Sequence, residues 1–148
     1  MRRRSQLTKL EWTARGVWTE GQMAYFDVRV FNPIAKTYLG LDLSSSYRRN
    51  EKEKKRAYNH QVQLVDQGTF TPLVFSCLGG CGKEGSAFFK RLALKLSELR
   101  NCDFAKVMSY VRTCLNFSLI RSCLLCIRGS RSAKVEYNQR YRSSLGHC

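Results

Sequence analysis

Met23-Ala24-Tyr25-Phe26-Asp27-Val28-Arg29-Val30-Phe31-Asn32-Pro33 is the stretch whose reading decides the fold. Phe26, Val28 and Val30 alternate with Asp27 and Arg29, the period of two that marks a half-buried strand. Pro33 ends the ladder because it has no N–H to give. Asp27 and Arg29 stand two residues apart, so they share the face opposite the apolar one and are held by a rigid element. A strand with one acid and one base on its outer face is most often merely solvated. What its neighbours supply decides whether it is more.

Upstream, Gln6 to Trp12 reads as another strand, and Trp18-Thr19-Glu20-Gly21-Gln22 supplies a turn. Glu11 and Asp27 are then expected on neighbouring antiparallel strands. Downstream, Leu43 to Gln67 has helical spacing, with the serines at 44 to 46 placed to cap its start. Tyr58, Val62 and Val65 form its sheet-facing stripe and Gln61 lies on the margin. Gly68 closes the helix, and Thr71 to Ser76 forms a third strand whose Leu73, Val74 and Phe75 predict burial on both faces. The order strand, strand, helix, strand predicts an α/β (α+β) chain with a small mixed β-sheet flanked by helices.

Cys77-Leu78-Gly79-Gly80-Cys81-Gly82-Lys83-Glu84-Gly85-Ser86 reads as a flexible glycine-rich connection opening a helix. It is not a P-loop, because Glu84 follows Lys83 where serine or threonine is required. Lys83 is placed to touch a phosphate. Phe88, Phe89, Leu92, Leu96 and Leu99 mark the next helix, Asn101 breaks it, and Asp103 caps a last helix running to about Arg128. That helix is apolar nearly all round from Leu115 to Ile127, which predicts deep burial or cover by another part of a larger protein. Residues 1–132 read as one domain and 133–148 as a basic, disordered tail.

Charge bounds the partner. Of 148 residues, 26 are Lys or Arg and 11 are Asp or Glu, a formal net charge of +15. Such an excess favours polyanions, because every phosphate neutralised releases condensed counterions. The run Arg48-Arg49-Asn50-Glu51-Lys52-Glu53-Lys54-Lys55-Arg56 holds six bases against two acids, more than mutual pairing uses. Arg48, Arg49, Lys52, Lys54, Lys55, Arg56 and Lys83 are therefore the candidate nucleic-acid contacts, to DNA or RNA. The longest apolar segment is too short for a bilayer, which needs about 20 residues, so no membrane partner is expected. An odd count of seven cysteines with no secretory signal argues against a disulfide framework and for a nuclear or cytoplasmic, not secreted, protein. Cys77 with Cys81 and Cys123 with Cys126 are the close pairs, the second inside an apolar helix, and with just His60 and His147 to complete a site the expectation is reduced thiols rather than structural zinc.

The string FDVRVFNP, followed by YRRNEKEKKRAYNHQVQLVDQGTFTPLVFS and LIRSCLLCIRGSRS, resembles a nuclease-like segment found behind the reverse transcriptase of certain animal retroelements. That segment in turn resembles the PD-(D/E)XK, or restriction-endonuclease-like, fold. The likeness runs from about Lys9 to Ser132. It implies a metal-dependent DNA endonuclease that nicks target DNA, with Mg²⁺ or Mn²⁺ as cofactor and a reverse transcriptase domain in a longer parent protein. Glu11 falls at the first acidic position, where these segments carry Asp. Asp27 falls at the second, and Arg29 where the wider fold has lysine. Gln61 matches a polar helix position displaced by one residue, about 100° of turn.

On that resemblance Glu11 and Asp27 hold the metal, and Glu11, Asp27, Arg29 and Gln61 are the catalytic candidates. Arg29 can neutralise charge on a phosphate but does not deprotonate, so it is no general base. About ten residues precede Glu11, too few for the helix that opens the complete fold. The expectation is thus a core lacking its first helix, from a truncated copy or a fragment, with a non-catalytic basic nucleic-acid-binding module as the alternative to an active enzyme.

Overall fold

A computed structural model describes residues 12–65 and 67–128. Glu11 and the tail at 133–148 lie outside them. The described chain is a three-stranded mixed sheet with three helices.

Strands β1 (Trp12–Arg15) and β2 (Met23–Phe31) form an antiparallel hairpin with Trp12 opposite Phe26 and Arg15 opposite Met23. Of the expected first strand, Gln6 to Trp12, only Trp12 falls within the described residues, where it opens β1, and the pairing runs on to Arg15. Gly16 N–H closes the loop on the Gln22 carbonyl at 2.9 Å. Gly16 and Gly21 take φ of 73° and 76°, which other residues rarely adopt.

After a 3₁₀ turn at Lys36–Tyr38, helix α1 (Leu43–Val65) crosses the sheet and returns the chain to β3 (Thr69–Ser76), parallel to β2. Strand order β1-β2-β3 puts β2 in the centre. Pro72 can sit inside β3 because, among the described strands, β3 is an edge. The cap of α1 is Asp42, not the serines: Asp42 Oδ2 accepts from Ser45 N–H at 3.3 Å, and Ser46 Oγ donates to the Asp42 carbonyl at 3.1 Å. At the far end, Gln67 takes the left-handed conformation and Gly68 N–H bonds the Val62 carbonyl. A Cβ on Gly68 would lie 2.8 Å from the Met23 carbonyl oxygen, so glycine is required where the chain crosses β2.

Helices α2 (Lys83–Arg100) and α3 (Phe104–Arg128) follow. Asn101 ends α2 in the left-handed conformation, and Asp103 Oδ1 caps α3 by accepting from Lys106 N–H at 3.1 Å, as the sequence predicts. Phe26 and Leu73 pack under α2 with Phe88 and Phe75, and Phe89 and Ala93 join α2 to Met108 and Val111 of α3. The apolar run of α3 is not deeply buried: Phe117, Ile120, Leu124 and Leu125 remain exposed among the described residues. No described helix is long and apolar enough to cross a membrane.

The glycine-rich loop is not the slack connection expected from its composition. Gly82 N–H bonds the Val74 carbonyl at 2.8 Å, Cys81 bridges to Phe75, and Tyr47 OH donates to the Gly79 carbonyl at 3.1 Å. The glycines serve close approach, since a Cβ on Gly80 would sit 2.8 Å from Tyr47 OH.

Candidate nucleic-acid and metal site

Alternation along β2 sends Tyr25, Asp27, Arg29 and Phe31 to the face opposite Phe26. That face is not solvated, because α1 lies across it. Tyr58 packs on Phe70, and Phe31 meets Tyr38 and Tyr47. Ser46, Asn50, Lys54, Tyr58 and Val62 recur every four residues on α1 and make its inner stripe, mostly polar in the first three turns.

Two ion pairs side by side join strand to helix. Lys54 Nζ stands 2.5 Å from Asp27 Oδ2, and Arg29 Nη1 donates to Glu53 Oε2 at 2.9 Å. Asp27 is 5% exposed, and its Oδ2 has a close charge contact with Lys54 but no hydrogen bond of good alignment among the described residues. A buried carboxylate so held is expensive, because charges leave water at a cost that only paired and hydrogen-bonded geometry recovers. The Glu53 carboxyl also takes Arg49 Nε at 3.4 Å, and the hydrogen bond from Arg29 holds it below the usual glutamate range.

Asn50 and Glu51 are the other polar groups under α1. Asn50 Nδ2 donates to the Ser46 carbonyl at 2.8 Å, and its Oδ1 accepts from Tyr38 OH at 3.0 Å. Glu51 Oε1 accepts from Glu84 N–H at 3.0 Å, supplying the N-terminal cap that Gly82 has no side chain to make. Burial pushes the Glu51 carboxyl up, and the Glu84 charge adds to it. A Cβ on Gly82 would collide with Glu51 Oε1, so this contact needs glycine. Burial, then the Glu51 charge, pushes the Cys81 thiol up to about 11, which makes it unreactive.

The basic run divides by face. Arg48, Lys52 and Arg56 stand at four-residue spacing on the outside of α1, without an ion-pair partner among the described residues. With Ser45, Arg49 and Glu53 they make up one open side of α1. Lys54 and Lys55 are paired instead, Lys54 with the buried Asp27 and Lys55, at the surface, with Glu84 Oε1 at 2.6 Å. Lys83 is exposed at the start of α2. Asp27 and Arg29 are thus brought together, Glu11 lies outside the described residues, and Gln61 lies in α1 with its side chain beyond what is described. His60 is exposed on the same helix.

Sequence reasoning gives Lys54 to the nucleic-acid surface and assigns no role to Glu53. The signal for Lys54 is the four-residue stripe from Ser46 to Val62. Its middle position is a lysine facing an acidic strand position, a pairing invisible until the register of helix on strand is known.

For a divalent cation, the fit rests on Asp27. Its Oδ2 is a hard oxygen of the kind Mg²⁺ takes, but it is buried and already meets the Lys54 ammonium at 2.5 Å, so the described residues by themselves do not fit a hydrated cation. The described residues contain no cluster of three His, Cys, Asp or Glu side chains able to hold a metal. No family model matches the chain, and neither a curated protein nor a solved structure matches it.

Proposed function

We propose that the chain is a nucleic-acid-directed domain of retroelement origin, built to nick DNA with a divalent cation held by Asp27 and Glu11. The observation that carries this reading is a buried carboxylate in the central strand, flanked by two cations and roofed by a helix whose outer face is basic. A purely structural ion pair is poor support for so buried an acid, since apolar residues of similar size would be as stabilising.

The roles follow from charge and reach. Arg48, Lys52 and Arg56 draw in the phosphate backbone, and each phosphate neutralised would steepen the salt dependence of binding by about 0.9. Arg29 would neutralise a phosphate oxygen beside Asp27, and Arg49, which shares Glu53 with it, would join it to the basic outer face of α1. A bound cation would supply a water of lowered pKa and a positive charge for the phosphate. Asp27 would hold that cation, and Glu11 is the second carboxylate implied by the resemblance.

The second reading is a module that binds nucleic acid without cutting it. It is favoured by the neutralisation of Asp27 by Lys54 and by the lack of a three-ligand cluster among the described residues. Supercoiled plasmid with Mg²⁺ or Mn²⁺, beside Asp27→Ala, separates the two. Nicking that disappears in the variant supports the nuclease. Salt-sensitive binding without nicking, equal in both proteins, leaves the module.

A further inference from the structure

Helix α3 has two apolar sides, and only one of them is covered among the described residues. On the first, Met108, Val111 and Leu115 share a core with Phe89, Ala93 and Phe75. At about 100° per residue, Tyr110, Thr113, Phe117, Ile120 and Leu124 fall within about 80° of one another on the opposite side. Tyr110 is 67% exposed, Phe117 69%, Ile120 56% and Leu124 47%. Thr113 joins this stripe through its methyl group, because its hydroxyl donates to the Ser109 carbonyl at 2.9 Å. Single exposed apolar side chains are ordinary. A continuous row of them about 21 Å long, from Tyr110 to Leu124, marks a surface that another molecule covers.

Spacing decides the shape of that partner. Tyr110, Phe117 and Leu124 repeat at heptad spacing with Thr113 and Ile120 between them, the a and d positions of a helix-pairing seam. So narrow a seam seats another helix, whereas a helix lying in a lipid surface uses a broad apolar face. Charge decides its composition. Helix α3 carries Lys106, Arg112, Arg121 and Arg128 and no acid in 25 residues, and Lys106, Arg121 and Arg128 fall along the borders and ends of the seam. A second copy would set these bases against their like, with no acid on either helix to pair with them. Acids flanking the seam of a foreign helix would pair with them instead. We propose that the outer side of α3 is a docking seam for an amphipathic helix of another polypeptide, apolar along its centre and acidic along its flanks. The seam faces away from the core that α3 shares with α2, so its use does not depend on the role of Asp27.

The probe is a designed peptide of about three heptads with leucine at a and d and glutamate at e and g, labelled for fluorescence anisotropy and titrated with the full chain. A twin with lysine at e and g is its control. The glutamate peptide should bind, more weakly as salt rises, and the lysine peptide should not. Phe117→Ser should weaken binding by about tenfold or more, and Leu124→Ser, at the far end of the seam, should act in the same direction. Ser118→Ala, exposed but off the seam, should leave binding unchanged. Both seam side chains are exposed, so circular dichroism and melting of the variants should match wild type.

Replacing Arg48, Lys52 and Arg56 together by alanine separates the seam from bare attraction to the basic side of α1, and should not alter peptide binding. Binding that survives Phe117→Ser but is lost in the triple variant overturns the proposal. Equal binding of the two peptides overturns the acidic partner, and binding of neither overturns the seam. Sedimentation of the chain alone should show no self-association. A dimer abolished by Phe117→Ser makes the occupant a second copy and overturns the foreign helix. Recruitment to phosphatidylserine vesicles that Phe117→Ser abolishes makes it a lipid surface, with the same consequence.

Discussion

The two faces of the sheet solve the same problem in opposite ways. Under α2, Phe26, Leu73, Phe75 and Phe88 meet as hydrocarbon against hydrocarbon. Under α1, the strand contributes Asp27 and Arg29, the helix Ser46, Asn50, Glu51 and Lys54, and all but the margins are closed by hydrogen bonds or ion pairs. Burial of apolar area is the term that folds a domain, so on the α1 face it is Phe31, Val62, Phe70 and Val74 that stabilise, while the polar groups among them contribute little beyond what they cost to desolvate. The lesson is a difference in kind: the α2 face is closed by hydrocarbon, whereas the α1 face encloses charged and amide groups among its buried Phe31, Val62, Phe70 and Val74.

That difference is open to direct attack. The largest loss is expected on the apolar side, where Phe26→Ala empties the space between Phe88 and Leu73 and should cost about 3 to 5 kcal/mol in urea unfolding. Next comes Lys54→Met, which strands the buried Asp27 carboxylate and should cost about 3 kcal/mol. Combining it with Asp27→Asn should recover most of that loss, which the apolar face cannot do by any polar exchange. If the double variant is as unstable as the single one, the polar face is a true pillar of the fold and the comparison fails.

Gly82→Ala tests the junction of α1 with α2. The added methyl would collide with Glu51 Oε1 and lift it from Glu84 N–H, leaving a buried acceptor and donor apart at a cost of about 1 to 3 kcal/mol. Glu51→Gln should act the other way at neutral pH. The Glu51 carboxyl is held above its ordinary value of 4.5, so the native state keeps a proton that the unfolded chain releases. Its contribution to stability therefore falls as pH rises from about 4.5 through the raised native value. Glu53, held below its ordinary value by Arg29, has the opposite sign: the stability it adds is present above the unfolded value and is lost as pH falls through the native one. Melting temperatures across pH for wild type and Glu51→Gln should diverge above the unfolded value, with wild type declining the more. The smallest structural effect belongs to replacing Arg48, Lys52 and Arg56 together by alanine. Stability should move by less than about 0.5 kcal/mol per site, while the salt slope of DNA binding falls by up to about 0.9 for each phosphate no longer neutralised.

Much of the architecture is legible in particular residues. Period-two alternation at Phe26, Val28 and Val30 marks β2, Asn101 and Asp103 mark the break between α2 and α3, and the unbroken Leu73-Val74-Phe75 marks a strand covered on both faces. Asp42 does not stand out as the cap of α1 because three serines follow it, and local sequence does not rank competing caps that differ by one or two positions. The glycine-rich loop is misleading because glycine marks both slack chain and close approach, and only the positions of Tyr47 and Glu51 distinguish them. Lys54 is counted with the surface because composition tallies charges without saying where they point.

By itself, the sequence determined the kind and order of the elements, the basic character of α1 and the sharing of one face by Asp27 and Arg29. Each of these depends on spacing along a single strand or helix. Tertiary structure alone decided that α1 covers that face and that Lys54 and Glu53 answer the two strand charges. The physical reason is that a repeat of two or of about four residues tells which side chains point together, whereas their partners depend on how far one element slides along another. That slide is set by packing between elements remote in the chain, here Tyr58 on Phe70 and Phe31 between Tyr38 and Tyr47.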